Sequence, residues 1–147
     1  MLNPFKYLVI KLINFFKKPK INNNIFLKLL YFEIFFSNSK ILISLIYSIK
    51  IHRNECGRIS FLLGHENSII KTFGNVGIEV YKGFQRQKIG INCIEYSVNQ
   101  LNKYFRSCTI LCRIDNTKML LLLDNLNTQS SIKNINGKFY IYEYRRP

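Results

Sequence analysis

The chain has no alanine and no tryptophan, and only 7 glycines, 3 prolines, 2 histidines and 8 acidic residues among 147. So few glycines and prolines exclude a collagenous or low-complexity chain. The scarcity of acids against 22 Lys and Arg leaves a formal net charge of +14 and excludes an acidic surface. Cys56, Cys93, Cys108 and Cys112 form no C-x-x-C pair, and His52 and His65 stand apart in sequence. That spacing gives little support to a metal site. The cysteines read as buried free thiols of a reduced, cytoplasmic protein.

What is abundant is isoleucine (22), asparagine (17) and lysine (15). An apolar content of 48% with 14% aromatics is enough for one domain, 1–147, with a real core. A basic surface can bind nucleic acid by counterion release. The Ile, Asn and Lys surplus without alanine is also what an AT-rich coding sequence produces, so nucleic acid is the less favoured partner.

Residues 1–24 are a basic amphipathic segment. Within them "PFKYLVIKLINFFKK" (4–18) reads as a helix with Phe5, Leu8, Leu12 and Phe16 on one face and lysines on the other. Pro4 suits its first turn and Pro19 stops it. The segment is too short and charged to span a bilayer. Covering a core is favoured over lying on a membrane surface.

Further along, 25–36 is expected as a strand, because Lys28 and Glu33 share no helical face. Residues 41–51 alternate with strand period. A hairpin turn at 52–57 leads into a strand at 58–64, and "HENSIIKTF" is a loop. A strand at 74–81, a helix at 87–105, a strand at 108–114, a helix at 115–126 and a hairpin turned at Asn136-Gly137 complete the order. The class is α+β, with a mixed sheet. The 74–114 stretch is a β-α-β unit whose turn, 81–90, stands where free N–H groups at a helix start favour anions.

The turn "VYKGFQRQKIG", Val80 to Gly90, resembles motif A of the GNAT superfamily of acyl-CoA-dependent N-acetyltransferases. Gln85, Arg86, Gln87, Ile89 and Gly90 fit its register. "TILCRIDNTKMLLLLDNLN" resembles the next block, with Asn116 at its recurring asparagine, and "GKFYIYEY" its last strand. "GRISFLLG" and "GNVGIEVY" are similar to strands of a small subgroup. The likeness covers residues 45–145. It implies a mainly antiparallel twisted sheet of six to seven strands with helices on both faces. It also implies acetyl-CoA as co-substrate, no metal, and an amine acceptor that the sequence does not identify.

By the resemblance, Val80, Gln85, Arg86, Gln87, Lys88, Ile89, Gly90 and Asn116 would hold the cofactor and Glu79 would be the catalytic base. Read on its own, Glu79 is a half-exposed strand residue. His52, Glu55, His65 and Glu66 read as surface residues, and Tyr140, Tyr142 and Tyr144 as strand packing. Four departures stand out. Lys88 replaces the first glycine, Lys82 the usual proline, Leu123 the tyrosine that protonates the thiolate, and Asn127 the glycine after the last helix. A catalytically degenerate domain that keeps the fold is therefore the alternative, and a basic membrane-surface or nucleic-acid-binding module a further one.

Overall fold

A computed structural model describes residues 20–37, 40–64, 74–105, 107–126 and 131–145, together with Lys6, Ile10 and Ile13. Those last three are helical and exposed; the rest of the expected helix at 4–18 lies outside the described residues, as do His65, Glu66 and Asn127.

Among the described residues seven strands form two antiparallel sheets. β1 (Ile25–Ser37), β2 (Lys40–Ile51), β3 (Asn54–Gly64) and β4 (Val76–Val80) make the first, in the order β1-β2-β3-β4. β5 (Ser107–Arg113), β6 (Ser131–Asn136) and β7 (Phe139–Arg145) make the second, in the order β5-β7-β6. Helix α1 (Ile89–Tyr104) joins β4 to β5, and α2 (Thr117–Asp124) follows β5. The α+β class is as expected, but the sheet is not continuous. Between β4 and β5 the halves are tied by Asn75, whose N–H donates to the Thr109 carbonyl (2.6 Å) and whose Oδ1 accepts from the Thr109 N–H (2.8 Å). Gly74 makes this seam possible, since its φ is +76° and a Cβ there would meet the Thr109 carbonyl at 2.9 Å.

The alternation read in 41–51 is the register of β2. Ile43, Leu45, Tyr47 and Ile49 turn inward and are buried. Two β-bulges depart from simple alternation. In β3, Gly57 pairs with Ile49 and Glu55 with Lys50, so Cys56 is extra. This is why "NECG" is strand although it reads as turn, leaving His52-Arg53 as the hairpin loop. In β1, Leu29 pairs with Tyr47 and Tyr31 with Ile46, so Leu30 is extra. Lys28 and Glu33 then lie opposite Ser48 and Ser44, on one face of the sheet. The last hairpin turns at Gly137-Lys138, one residue later than expected.

The core joins both sheets to α1. Ile94, Val98 and Leu101 of α1 belong to one buried cluster with Ile59, Phe61, Cys108 and Tyr144. Burying each large side chain contributes about 1.5–3 kcal/mol. Tyr142 donates to Asp124 Oδ1 (2.8 Å) and Tyr144 to the Leu123 carbonyl (3.0 Å), which fastens the end of α2 to the second sheet. All four cysteines are buried free thiols. Burial, with Cys56 nearby, pushes the Cys93 thiol up to about 12, so it packs as an inert apolar group.

Candidate active site at the β4–α1 turn

Beyond Val80 the chain makes one 3-10 turn, Lys82–Phe84, then enters α1 through Gln85 to Lys88. Gln85 Nε2 donates to the Val80 carbonyl (3.2 Å), closing the loop on the strand end. The hand of the backbone then alternates. Arg86 has φ 68° and Lys88 φ 59°, with Gln87 between them on the ordinary side. Such alternation turns successive N–H groups toward one concavity, a form that binds anions. Among the described residues no acceptor meets the N–H groups of Arg86, Gln87, Lys88, Ile89, Gly90 or Ile91; the first N–H bond at the helix start is Asn92 to the Lys88 carbonyl (3.1 Å).

Helix α1 therefore starts uncapped. Lys88 holds the cap position without a side-chain bond, and no acid stands in the first turn. Most helices place Ser, Thr, Asp or Asn here. The contrast with α2 is direct, because Asn116 Oδ1 accepts from the Met119 N–H (3.2 Å) and caps that helix. The free end of α1 carries the positive pole of its dipole into the turn.

The turn opens on a cleft of about 680 Å3 between the end of β4, the start of α1 and one face of α2. Glu79, Val80, Gln85, Arg86, Lys88, Ile89, Gly90 and Asn116 all border it, and Gln87 does not. The structure also brings in Phe84, Lys118, Leu122 and Asn125, which the sequence reading missed. The signal was available in part: 118, 122 and 125 recur at helical spacing and mark one face of α2. Arg86, Lys88 and Lys118 make the lining basic, and Glu79 is the acid among the described lining residues.

Glu79 lies opposite Arg58 in the register of β3 and β4, is exposed, and has no hydrogen bond or ion pair among the described residues. Arg58 instead leans toward Glu55 (3.5 Å). Glu55 also accepts from the Tyr81 hydroxyl (2.7 Å), which foremost holds its carboxyl below the usual value. Glu55, which reads in sequence as a surface residue, anchors the first residue after β4. Gly57 lets β3 close on this place, since a Cβ there would collide with the Glu79 carbonyl. Leu123 is buried in the core and does not border the cleft.

Lys88 in the left-handed region is strained, at about 1–3 kcal/mol for a residue other than glycine. Lys88→Gly is expected to raise the stability of the unliganded protein by about 1 kcal/mol, a few degrees in melting temperature. It should also flatten the salt dependence of anion binding, since one cation leaves the lining. A lower melting temperature for this variant would contradict the backbone geometry at 88.

The chain matches no family model, and no curated protein is similar to it in sequence. Solved structures are similar in fold. One is the microcin C7 self-immunity acetyltransferase MccE in complex with acetyl-CoA and AMP. It has TM-score 0.51 and 20% identity, and the likeness covers 69% of this chain and 61% of that one. Another is the ribosomal L7/L12 alpha-N-protein acetyltransferase RimL in complex with coenzyme A, with TM-score 0.51, 20% identity, and 69% and 62% covered. A third, from Salmonella typhimurium, modifies the N-terminal serine of ribosomal protein L7/L12 and aligns with TM-score 0.50, 20% identity, and 69% and 63% covered. The chain thus spans somewhat less than two thirds of the length of these acetyltransferases. The chain shares the fold of these acetyltransferases, an α+β fold of the kind the turn and strand motifs implied. Among the described residues no group of acids, cysteines and histidines could hold a metal, and no helix is long and apolar enough to cross a membrane.

Proposed function

We propose that the chain is an N-acetyltransferase that takes the acetyl group of acetyl-CoA to a primary amine. The observation that carries this reading is the uncapped, alternating-hand turn at 86–88, whose free N–H groups open on a basic cleft. A diphosphate is the ligand such a turn suits, and acetyl-CoA carries one. The likeness in fold to acetyltransferases seen with acetyl-CoA or coenzyme A supports the same ligand.

In this reading Arg86, Lys88 and Lys118 balance the phosphate charge, and the N–H groups of 86–91 hold its oxygens. Val80 and Ile89 give the cleft an apolar floor. Acetyl-CoA supplies an activated acyl carbon: a C–N bond forms to the amine and the C–S bond breaks. Glu79 receives the proton that the acceptor ammonium must lose, directly or through water. The second proton, which the nitrogen sheds as the amide forms, passes through water to the departing thiolate.

The buried Leu123 favours a second reading, a domain that binds acyl-CoA without turnover. Thermal denaturation with acetyl-CoA tests the first half of the proposal. At 100 times its dissociation constant the ligand should add about 2.7 kcal/mol. Release of free thiol with an amine panel tests the second half. Binding without thiol release leaves the second reading, and no stabilisation overturns both.

A further inference from the structure

β1 is an edge strand of 13 residues, paired along one side by β2. Its other edge meets the chain only at the Lys20–Phe26 bridge among the described residues. From Leu27 on, no described residue pairs with the main-chain groups of that edge. Large apolar side chains stand out from the same stretch: Tyr31 is 54% exposed, Phe32 58% and Ile34 47%. Two opposite charges, Lys28 and Glu33, interrupt it. Both are exposed and neither has a hydrogen bond or ion pair among the described residues.

The bulge at Leu30 gives these charges a self-complementary arrangement. Without it, residues five apart on a strand would face opposite sides of the sheet. With it, Lys28, Tyr31 and Glu33 lie on one face, opposite Ser48, Ile46 and Ser44 of β2. Tyr31 is then the midpoint between the two charges. A two-fold axis perpendicular to the sheet, midway between the two strands and beside Tyr31, would set a second β1 antiparallel to the first. Lys28 of each copy then meets Glu33 of the other, Leu29 meets Phe32, and Leu27 meets Ile34. Each pair shares a face, as an antiparallel ladder requires. The contact is isologous and closes on itself, so it yields a dimer and not a fibre.

We propose that the outer edge of β1 is a docking surface for a second copy of this chain, joined in the register centred on Tyr31. The two four-stranded sheets then become one sheet running through both copies. The cleft, beside β4 at the other end of the sheet, stays open. Stable interfaces bury about 1,200–2,000 Å2 in total, and one ladder over 27–34 buries less, so the dimer is a weak one.

Sedimentation velocity of the full chain tests this, over roughly the 1 µM to 1 mM range where such contacts form. Physiological salt is used, because it screens beyond about 8 Å the repulsion of two strongly basic molecules. Lys28→Glu and Glu33→Lys, taken singly, each place like charges opposite one another twice per dimer. Each should weaken dimerisation by about tenfold or more while melting temperature and acetyl-CoA binding hold. Carrying both changes in one chain restores opposite charges and should restore the dimer. A monomer throughout the range overturns the proposal. So does a dimer that ignores the single changes, or a double variant no better than the singles. Recruitment to anionic vesicles without dimerisation would assign this edge to a membrane instead.

Discussion

Gly90→Asp should remove acetyl-CoA binding from a protein that is otherwise as stable as before. Gly90 is the second residue of α1, half-buried, at the border of the cleft. A Cβ added there meets only the Leu122 Cδ1, at an ordinary 3.8 Å, so the fold has room for a side chain. Aspartate also suits the first turn of a helix, where it complements the dipole, and it has better helix propensity than glycine. The unliganded variant should therefore melt no lower than the parent. Its carboxylate, however, stands among the N–H groups proposed to hold the diphosphate. Two unit charges about 4 Å apart near a protein surface repel by about 4 kcal/mol. Affinity should fall by at least about 100-fold, and the stabilisation by acetyl-CoA should vanish. Gly90→Ala serves as the control, because it adds the bulk without the charge and should cost far less affinity. Calorimetric titration of the three proteins decides the matter, and an unchanged dissociation constant for Gly90→Asp would sink the assignment of the turn.

The turn was legible in the sequence because its chemistry is local. Glycine and glutamine at fixed spacing after an apolar run mark a strand that bends into a helix start, and Gln85, Arg86, Lys88, Ile89 and Gly90 do border one cleft. What Lys88 does there was not legible. The sequence shows a lysine in place of glycine; the structure shows that the backbone stays left-handed and accepts the strain. The strands were readable wherever alternation runs unbroken, as in Ile43 to Ile49. They are misread at Cys56, where an extra residue beside Gly57 makes a strand bulge look like a turn, and the side-chain faces of β1 are hidden by Leu30, an extra residue with no glycine or proline near it. The seam that ties the two sheets runs through Asn75, bonding across 34 positions to Thr109, and no pattern within either segment announces it. The anchoring of Tyr81 by Glu55 is likewise a contact across 26 positions. Leu123 was recognised as a departure, but its burial beneath Tyr144 depends on how α2 is fastened to β7.

Glu79→Gln should lower acetyl transfer by about 100-fold or more while acetyl-CoA affinity stays within about twofold. The substitution keeps the shape of the side chain and removes its charge and basicity. Glu79 is exposed and, among the described residues, spends its carboxylate on no structural contact, so folding should be indifferent to the change. By strand alternation its side chain faces away from Val80, onto the face that carries Arg58, while Val80 packs toward the core. The proposed base and an apolar residue of the cleft lining thus come from successive positions of one short strand. A base in that place need not touch the acyl carbon; it has only to take a proton from an ammonium, and a water molecule can carry it. Two readouts separate this role from a plain charge effect. The loss in Glu79→Gln should shrink as pH rises, because a growing share of the acceptor is already neutral and needs no base. Glu79→Asp should recover part of the rate, since it keeps the carboxylate and shortens its reach. Full activity in Glu79→Gln removes the residue from the site. An equal loss at every pH would recast it as an electrostatic partner of the acceptor, and the proton would then leave by solvent alone.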